Sequence, residues 1–447
     1  MAELFGPLKV YNYTCNKHRR YNSHCQAGTM SENIIAFVMA GGQGSRLQPL
    51  TTNRSKPSVP FGARYRIIDF VLSNLINSGV RTIYLLVQYR SQSLIEHVRK
   101  AWSLSPLLQN QFITVVPPQM MEGESWFLGT ADAVYQNREL LLRHAPEMVA
   151  VFGGDHIYRM DIRQMVRFHR EREAHATVSA LPVPIQQAGA FGVIDTNPRG
   201  LIQAFQEKPA NPSPMPGNPD LAFASMGNYL FNTDVLLEGL ETAKQHGETD
   251  FGQHVLPRLM RSHNLYAYDF GRNRIPGSKP YEDPIYWRDV GTIDAYFDAH
   301  RDVLGLEPVF DAFNPQWPIY SSNYQGPVAR IIGGQVENTL VGAAAVISDG
   351  VKIRNSIVRR EAFIEEGAEL EDCIIMDYVR IGKGAKLRRV IVDRHNYIEP
   401  GASIGFDRAE DEKRYTVSPG GVVVVPLGKI SYYARDSRGD GGPGYSE

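Results

Sequence analysis

A glycine-rich turn, two cations and two aspartates are the residues of this chain best suited to chemistry. Gly41-Gly42-Gln43-Gly44-Ser45-Arg46-Leu47 follows an apolar run, and Lys56-Pro57 lies close behind. Glycines let a backbone bend sharply and bring its N–H groups against phosphate oxygens. The segment is not a Walker loop, because no Gly-Lys-Ser/Thr follows. Nor is it a dinucleotide fingerprint, because Leu47 stands where the third glycine belongs. Two fixed cations, Arg46 and Lys56, suit a triphosphate whose pyrophosphate must leave. Asp155 closes Phe-Gly-Gly-Asp after a second apolar run, and Asp289 sits in Tyr-Trp-Arg-Asp-Val-Gly. Alone, either aspartate reads as a turn or helix-cap residue. As a pair they can hold Mg²⁺, which keeps several waters and bridges substrate phosphates.

The elements that must position these residues are legible in outline. Residues 34–40 form a continuous apolar run, the mark of a buried parallel strand. Similar runs recur at 82–87, 148–152 and 177–180, with helical stretches such as 69–77 and 93–102 between them. Strands alternating with helices predict a doubly wound, mostly parallel α/β sheet. Ligands bind such sheets at the carboxyl ends of the strands, where the glycine turn and Asp155 both fall. The proline-rich segment 209–219 reads as a surface loop.

The last quarter obeys another rule. Ile347, Ile364, Ile381 and Ile398 stand 17 residues apart. Val341, Val358, Ile375 and Val392 repeat at the same period, as do Ile353, Leu370, Leu387 and Ile404. Gly350, Gly367, Gly384 and Gly401 form a fourth column. Units this short bury nothing alone, but stacked they share a core. Hexad-spaced aliphatics with a glycine corner predict a parallel β-helix, whereas an amphipathic helix needs apolar spacings of three and four.

Composition narrows the function. The 447 residues carry 47 basic and 48 acidic side chains. That balance gives no electrostatic case for nucleic acid or an anionic membrane. No apolar stretch of about 18 residues exists to span a bilayer. The three cysteines make no disulfide framework, so a reduced, cytoplasmic protein is expected. Cys15, His18, His24 and Cys25 fit no common zinc spacing. Residues 1–29 are expected to be a disordered extension, with Met30 a candidate for the true start, and 436–447 a disordered tail. Between them we expect a catalytic domain at 30–301, a linker at 302–330 and the β-helix at 331–435.

The chain resembles the sugar-nucleotide pyrophosphorylases, most closely the bacterial glucose-1-phosphate adenylyltransferases. The resemblance runs from about residue 33 to 427. It is carried by GGQGSRLQPLT (41–51), RIIDFVLSN (66–74), GTADAVYQN (129–137), SMGNYLF (225–231) and YWRDVGTIDAY (286–296). It implies transfer of the adenylyl group of ATP to glucose 1-phosphate, and a left-handed form of the β-helix. By the same resemblance, Gly41, Gly42, Gly44, Arg46 and Lys56 cradle the ATP phosphates, with Gln119 and Gly129 near the adenine. Phe127, Gly192, Glu207, Lys208 and Ser225 hold the sugar phosphate, while Asp155 and Asp289 bind Mg²⁺. Arg54, Arg66, Arg388 and Arg389 match positions that bind a phosphorylated activator, and a cytoplasmic homotetramer is implied.

Three departures stand out. Phe127 replaces a tyrosine common in the family, removing a hydrogen bond worth about 1 kcal/mol. Asn53 and Pro60 replace basic residues of the fructose-bisphosphate-activated members, so another phosphorylated activator is expected. A sister enzyme using another nucleotide and a catalytically silent regulatory subunit are the alternatives. Against the second, Arg46, Lys56, Asp155 and Lys208 are all present.

Overall fold

A computed structural model describes residues 33–104, 111–119 and 126–428. The expected extension at 1–29 and tail at 436–447 lie outside these residues.

The apolar run becomes the strand Ile34–Met39, flanked in parallel by Thr82–Leu86 and Met148–Gly153. Phe112–Val116 extends this half of the sheet, also in parallel. The other half departs from the doubly wound pattern. Leu221–Asn232 pairs antiparallel with Met148–Gly153, with Ala176–Pro184 and with Gly192–Thr196. The long strand carries the sheet past the parallel half and gives the cleft an antiparallel wall. Its register breaks between Ser225 and Tyr229, next to Gly227 at φ 69. Phe37, Val134, Val149, Phe231 and Val255, each at most 1% exposed, fill the core on one face.

Each 17-residue unit of the β-helix makes three short strands. Ile347 pairs in register with Ile364, Ile364 with Ile381, and Ile381 with Ile398. The columns through Ile353 and Val358 climb the other two faces. Burying each such side chain contributes about 1.5–3 kcal/mol. Gly350, Gly367, Gly384 and Gly401 turn one corner at φ 65–69.

One face of this prism is apolar on both sides. Ile357, Ile374 and Ile391 point outward, again 17 apart, and pack with Tyr296, Phe297, Ile67, Phe61 and Leu47. The helix Ile293–Arg301 and the residues after the glycine turn therefore share one core with the β-helix.

Candidate active site

The strand ends meet over a cleft of about 670 Å³. After Met39 the chain turns at Gly44, whose φ of 62 is left-handed. A Cβ there would lie 2.9 Å from the Lys56 Cβ, so the turn and the lysine are packed against each other. The Thr51 hydroxyl donates to the Gly44 carbonyl at 2.8 Å. Lys56 opens the 3-10 turn Lys56–Ser58 and is almost wholly buried.

Two carboxylates converge on its ammonium group. Asp155 follows the strand Met148–Gly153, and its Oδ2 accepts from Lys56 Nζ at 2.9 Å. Asp289 arrives from 134 residues further on. Its strand Trp287–Asp289 pairs antiparallel with His156–Tyr158, setting Asp289 opposite His156. Asp289 Oδ1 accepts from Lys56 Nζ at 2.7 Å, and Arg46 Nη2 stands 3.9 Å from its other oxygen. Burial disfavours the Lys56 charge, but the two aspartates outweigh it and raise its pKa above the usual value. Burial likewise works against the charge on Asp155. His156 and Lys56 reverse that and hold the carboxyl at about 2, so it is ionised throughout the neutral range.

Ligand atoms of Asp155, His156 and Asp289 lie within 4.8 Å of one another. Two hard oxygen donors this close fit an oxygen-seeking dication, which would compete with the Lys56 ammonium for them. The His156 ring packs on Trp287 at 4.6 Å between centroids, beside Asp155.

Gly41, Gly42, Phe127, Gly129, Gly192, Glu207 and Ser225 also line the cleft. A Cβ on Gly192 would come 3.0 Å from the Phe205 ring, and one on Gly129 would strike the Thr249 carbonyl at 2.4 Å. Those glycines are steric requirements of the walls. Two expected residues, Gln119 and Lys208, do not line it. Gln119 bonds the Pro117 carbonyl at 2.7 Å. Lys208, with φ 47, is two-thirds exposed and only 3.7 Å from Glu207. Asp250 and Phe251 line the cleft without having been singled out from sequence. Asp250 caps the turn Phe251–Val255 and accepts from the Thr130 hydroxyl at 2.9 Å. Its Asp-Phe-Gly context carried no signal at that distance from the glycine turn.

The expected effector arginines separate. Arg54 requires a correction: it is 2% exposed, ion-paired with Asp393 of the β-helix, and its Nε donates to the Leu50 carbonyl at 2.7 Å. It joins the two parts of the chain and offers no open face to an anion. Arg66 lines a second cavity of about 480 Å³, with Lys100, Tyr324 and Arg360. Arg388 lies over Phe406, and Arg389 lies over Phe297 and bonds the Gly420 carbonyl. Neither lines the cavity that holds Arg66. The β-helix arginine whose charge bears on Arg66 is Arg394. Burial first, then Arg394, pushes the Arg66 guanidinium down to about 9.

Comparison with known proteins identifies the family. A model described as nucleotidyl transferase matches residues 35–305. The chain belongs to the nucleotidyl transferase family. A second model, the GlmU-like C-terminal hexapeptide, matches residues 329–425. Its relatives include proteins named glucose-1-phosphate adenylyltransferase. The protein of Thermodesulfovibrio yellowstonii is 54% identical over 88% of this chain and 96% of its own length. That of Thermus thermophilus is 49% identical over 88% and 98%. That of Deinococcus radiodurans is 44% identical over 90% and 100%. Within the nucleotidyl transferases, the chain thus falls among the glucose-1-phosphate adenylyltransferases. Among the described residues no helix is long and apolar enough to cross a membrane.

Proposed function

We propose that this nucleotidyl transferase moves the adenylyl group of ATP to α-D-glucose 1-phosphate. The products are ADP-glucose and pyrophosphate, and the reaction is the committed step towards glycogen in the cytoplasm. The observation that carries the reading is the Lys56 ammonium bridging Asp155 and Asp289 at the mouth of a glycine-turned strand end. Extensive likeness to the named relatives supplies the substrates.

In this reading the backbone of Gly41, Gly42 and Gly44 faces the triphosphate, with Arg46 reaching its departing end. Gly129 lies beside the adenine, and Gln119 turns from the Pro117 carbonyl to reach it. Gly192, Glu207, Ser225 and Phe127 seat the sugar, and the exposed Lys208 swings onto its phosphate. Nucleotidyl transferases of this kind work with a divalent cation. We take it to be Mg²⁺, held by Asp155 and Asp289, where it neutralises phosphate charge. A sugar-phosphate oxygen forms a bond to the α-phosphorus of ATP as the bond from that phosphorus to the β-phosphate oxygen breaks. That oxygen is already ionised at pH 7, so no general base is needed. The chain contributes alignment and positive charge, which together supply most of the acceleration in such a transfer.

We also propose that a phosphorylated metabolite other than fructose 1,6-bisphosphate activates the enzyme from the second cavity, and that the working form is a homotetramer. Arg66, Lys100 and Arg360 supply positive charge there, while Tyr65 and Tyr324 supply flat walls.

Pyrophosphate release from purified protein with glucose 1-phosphate, Mg²⁺ and each of ATP, GTP, UTP, CTP and dTTP tests the function. We expect ATP to dominate. Preference for another nucleotide overturns the adenylyl assignment, and no release with any overturns the catalytic one.

A further inference from the structure

Lys56 can bridge two carboxylates only if the buried turn that carries it is fixed, and the residues that fix it come from distant parts of the chain. The turn runs straight into a small hairpin in which Pro60–Phe61 pairs with Tyr65–Arg66. Every residue from Lys56 to Phe61 is buried, and Pro57 and Pro60 restrict the backbone between. Val59 N–H donates to the Lys56 carbonyl, and Ile67 N–H to the Val59 carbonyl. A shift of the hairpin is therefore a shift of Lys56.

Neighbouring elements hold this hairpin by its backbone. Tyr296 donates its hydroxyl to the Pro60 carbonyl. His300 Nε2 accepts from Gly62 N–H at 3.1 Å. Three further carbonyls are taken by one β-helix side chain. Arg359 Nη1 donates to Phe61 at 3.0 Å, Gly62 at 2.5 Å and Tyr65 at 3.2 Å. Its Nε donates to Asp377 Oδ1 at 3.0 Å, and both side chains are about 95% buried. A Cβ at Gly342 would strike the next coil at Arg360 N, 2.6 Å away, and would also lie 3.0 Å from the Ala63 carbonyl.

We propose that Arg359 is a positioning residue for the transfer: its guanidinium clamps the 60–66 hairpin to the β-helix and thereby fixes Lys56 between Asp155 and Asp289. The β-helix is thus part of the catalytic apparatus through one side chain, although none of its described residues lines the cleft. A planar fork can face a carboxylate and a set of carbonyls together, whereas a lysine ammonium is a single point. The inference rests on Lys56 serving the reaction, so its test includes Lys56 itself.

The experiment measures kcat and both KM values, with melting curves, for Arg359→Lys, Lys56→Ala and Ile381→Ala. Ile381→Ala damages the β-helix core away from the hairpin and controls for lost stability alone. We expect Arg359→Lys to lower kcat about tenfold or more per folded molecule, with KM for ATP and glucose 1-phosphate within about twofold. Ile381→Ala should melt lower but keep its kcat. Arg359→Lys with wild-type kcat, or with no more loss than Ile381→Ala, overturns the clamp. If Lys56→Ala also keeps its rate, the reading of the site fails with it; if only Lys56→Ala is inactive, the clamp alone fails. Should Arg359→Lys not fold, Asp377→Asn decides. It keeps the shape but removes the carboxylate charge that aims the Arg359 guanidinium, and a kcat unchanged from wild type overturns the proposal.

Discussion

The cleft and the β-helix solve the problem of placing side chains in opposite ways. In the β-helix, sequence distance is spatial distance: 17 residues on, the chain is one coil higher and each side chain sits on its own kind. In the cleft, Arg46, Lys56, Asp155 and Asp289 are separated by up to 243 positions and meet because strand ends and one antiparallel ribbon converge. A repeat is robust to local change, because each coil adds its own increment of burial. A convergent site is fragile, because one displaced backbone moves a charge relative to its partners.

Two glycines of nearly equal φ sharpen that contrast. Gly44 at 62° faces the Lys56 Cβ at 2.9 Å, while Gly367 at 67° has nothing within 4 Å of an added Cβ. Gly44→Ala should cost about tenfold to a hundredfold in kcat, because Lys56 must retreat. Gly367→Ala carries only the left-handed strain, about 1–2 kcal/mol in denaturant unfolding, with kcat unchanged. Equal kinetic effects of the two would break the comparison.

A smaller effect marks where the two regions join. His300 is buried against Phe61, accepts from Gly62 N–H and donates from Nδ1 to the Tyr296 carbonyl at 2.8 Å, and burial lowers its pKa to about 3. Its unfolded value is about 6.5. The unfolded chain therefore takes up a proton first as pH falls. Stability from this residue is intact above about pH 6.5 and is lost progressively towards pH 3. His300→Gln, which can keep both hydrogen bonds without titrating, should flatten the fall in melting temperature between pH 6.5 and 5. Parallel pH profiles for the two proteins would contradict this.

How much of this was legible follows the same division. The inward columns could be read because burial imposes one chemistry on every coil. The outward column of Ile357, Ile374 and Ile391 has the same period, and it marks the docking face. It went unread because an outward aliphatic means nothing until its partner is known. Corners at Asn355, Asp372 and Arg389, and at Glu361, Tyr378 and His395, are left-handed without glycine, so composition gave no sign of them. In the cleft, the glycine turn and Asp155 were readable from strand ends. Asp250 was not, since its place depends on a cap and on Thr130. The arginines show the limit most plainly. Arg54 meets Asp393 across 339 positions, and Arg394 rather than Arg388 or Arg389 stands near Arg66. Neighbouring residues at a β-helix corner face different ways, so position in the chain alone does not say which of them share a cavity.

The central claim is that the carboxylate pair around Lys56 is where the adenylyl group is transferred. Single-turnover formation of ADP-glucose by Asp155→Asn, with saturating ATP, glucose 1-phosphate and Mg²⁺, tests it most directly. The account predicts a rate lower by about three orders of magnitude or more, in a protein whose circular dichroism and melting remain close to wild type. A rate near wild type would place the chemistry elsewhere.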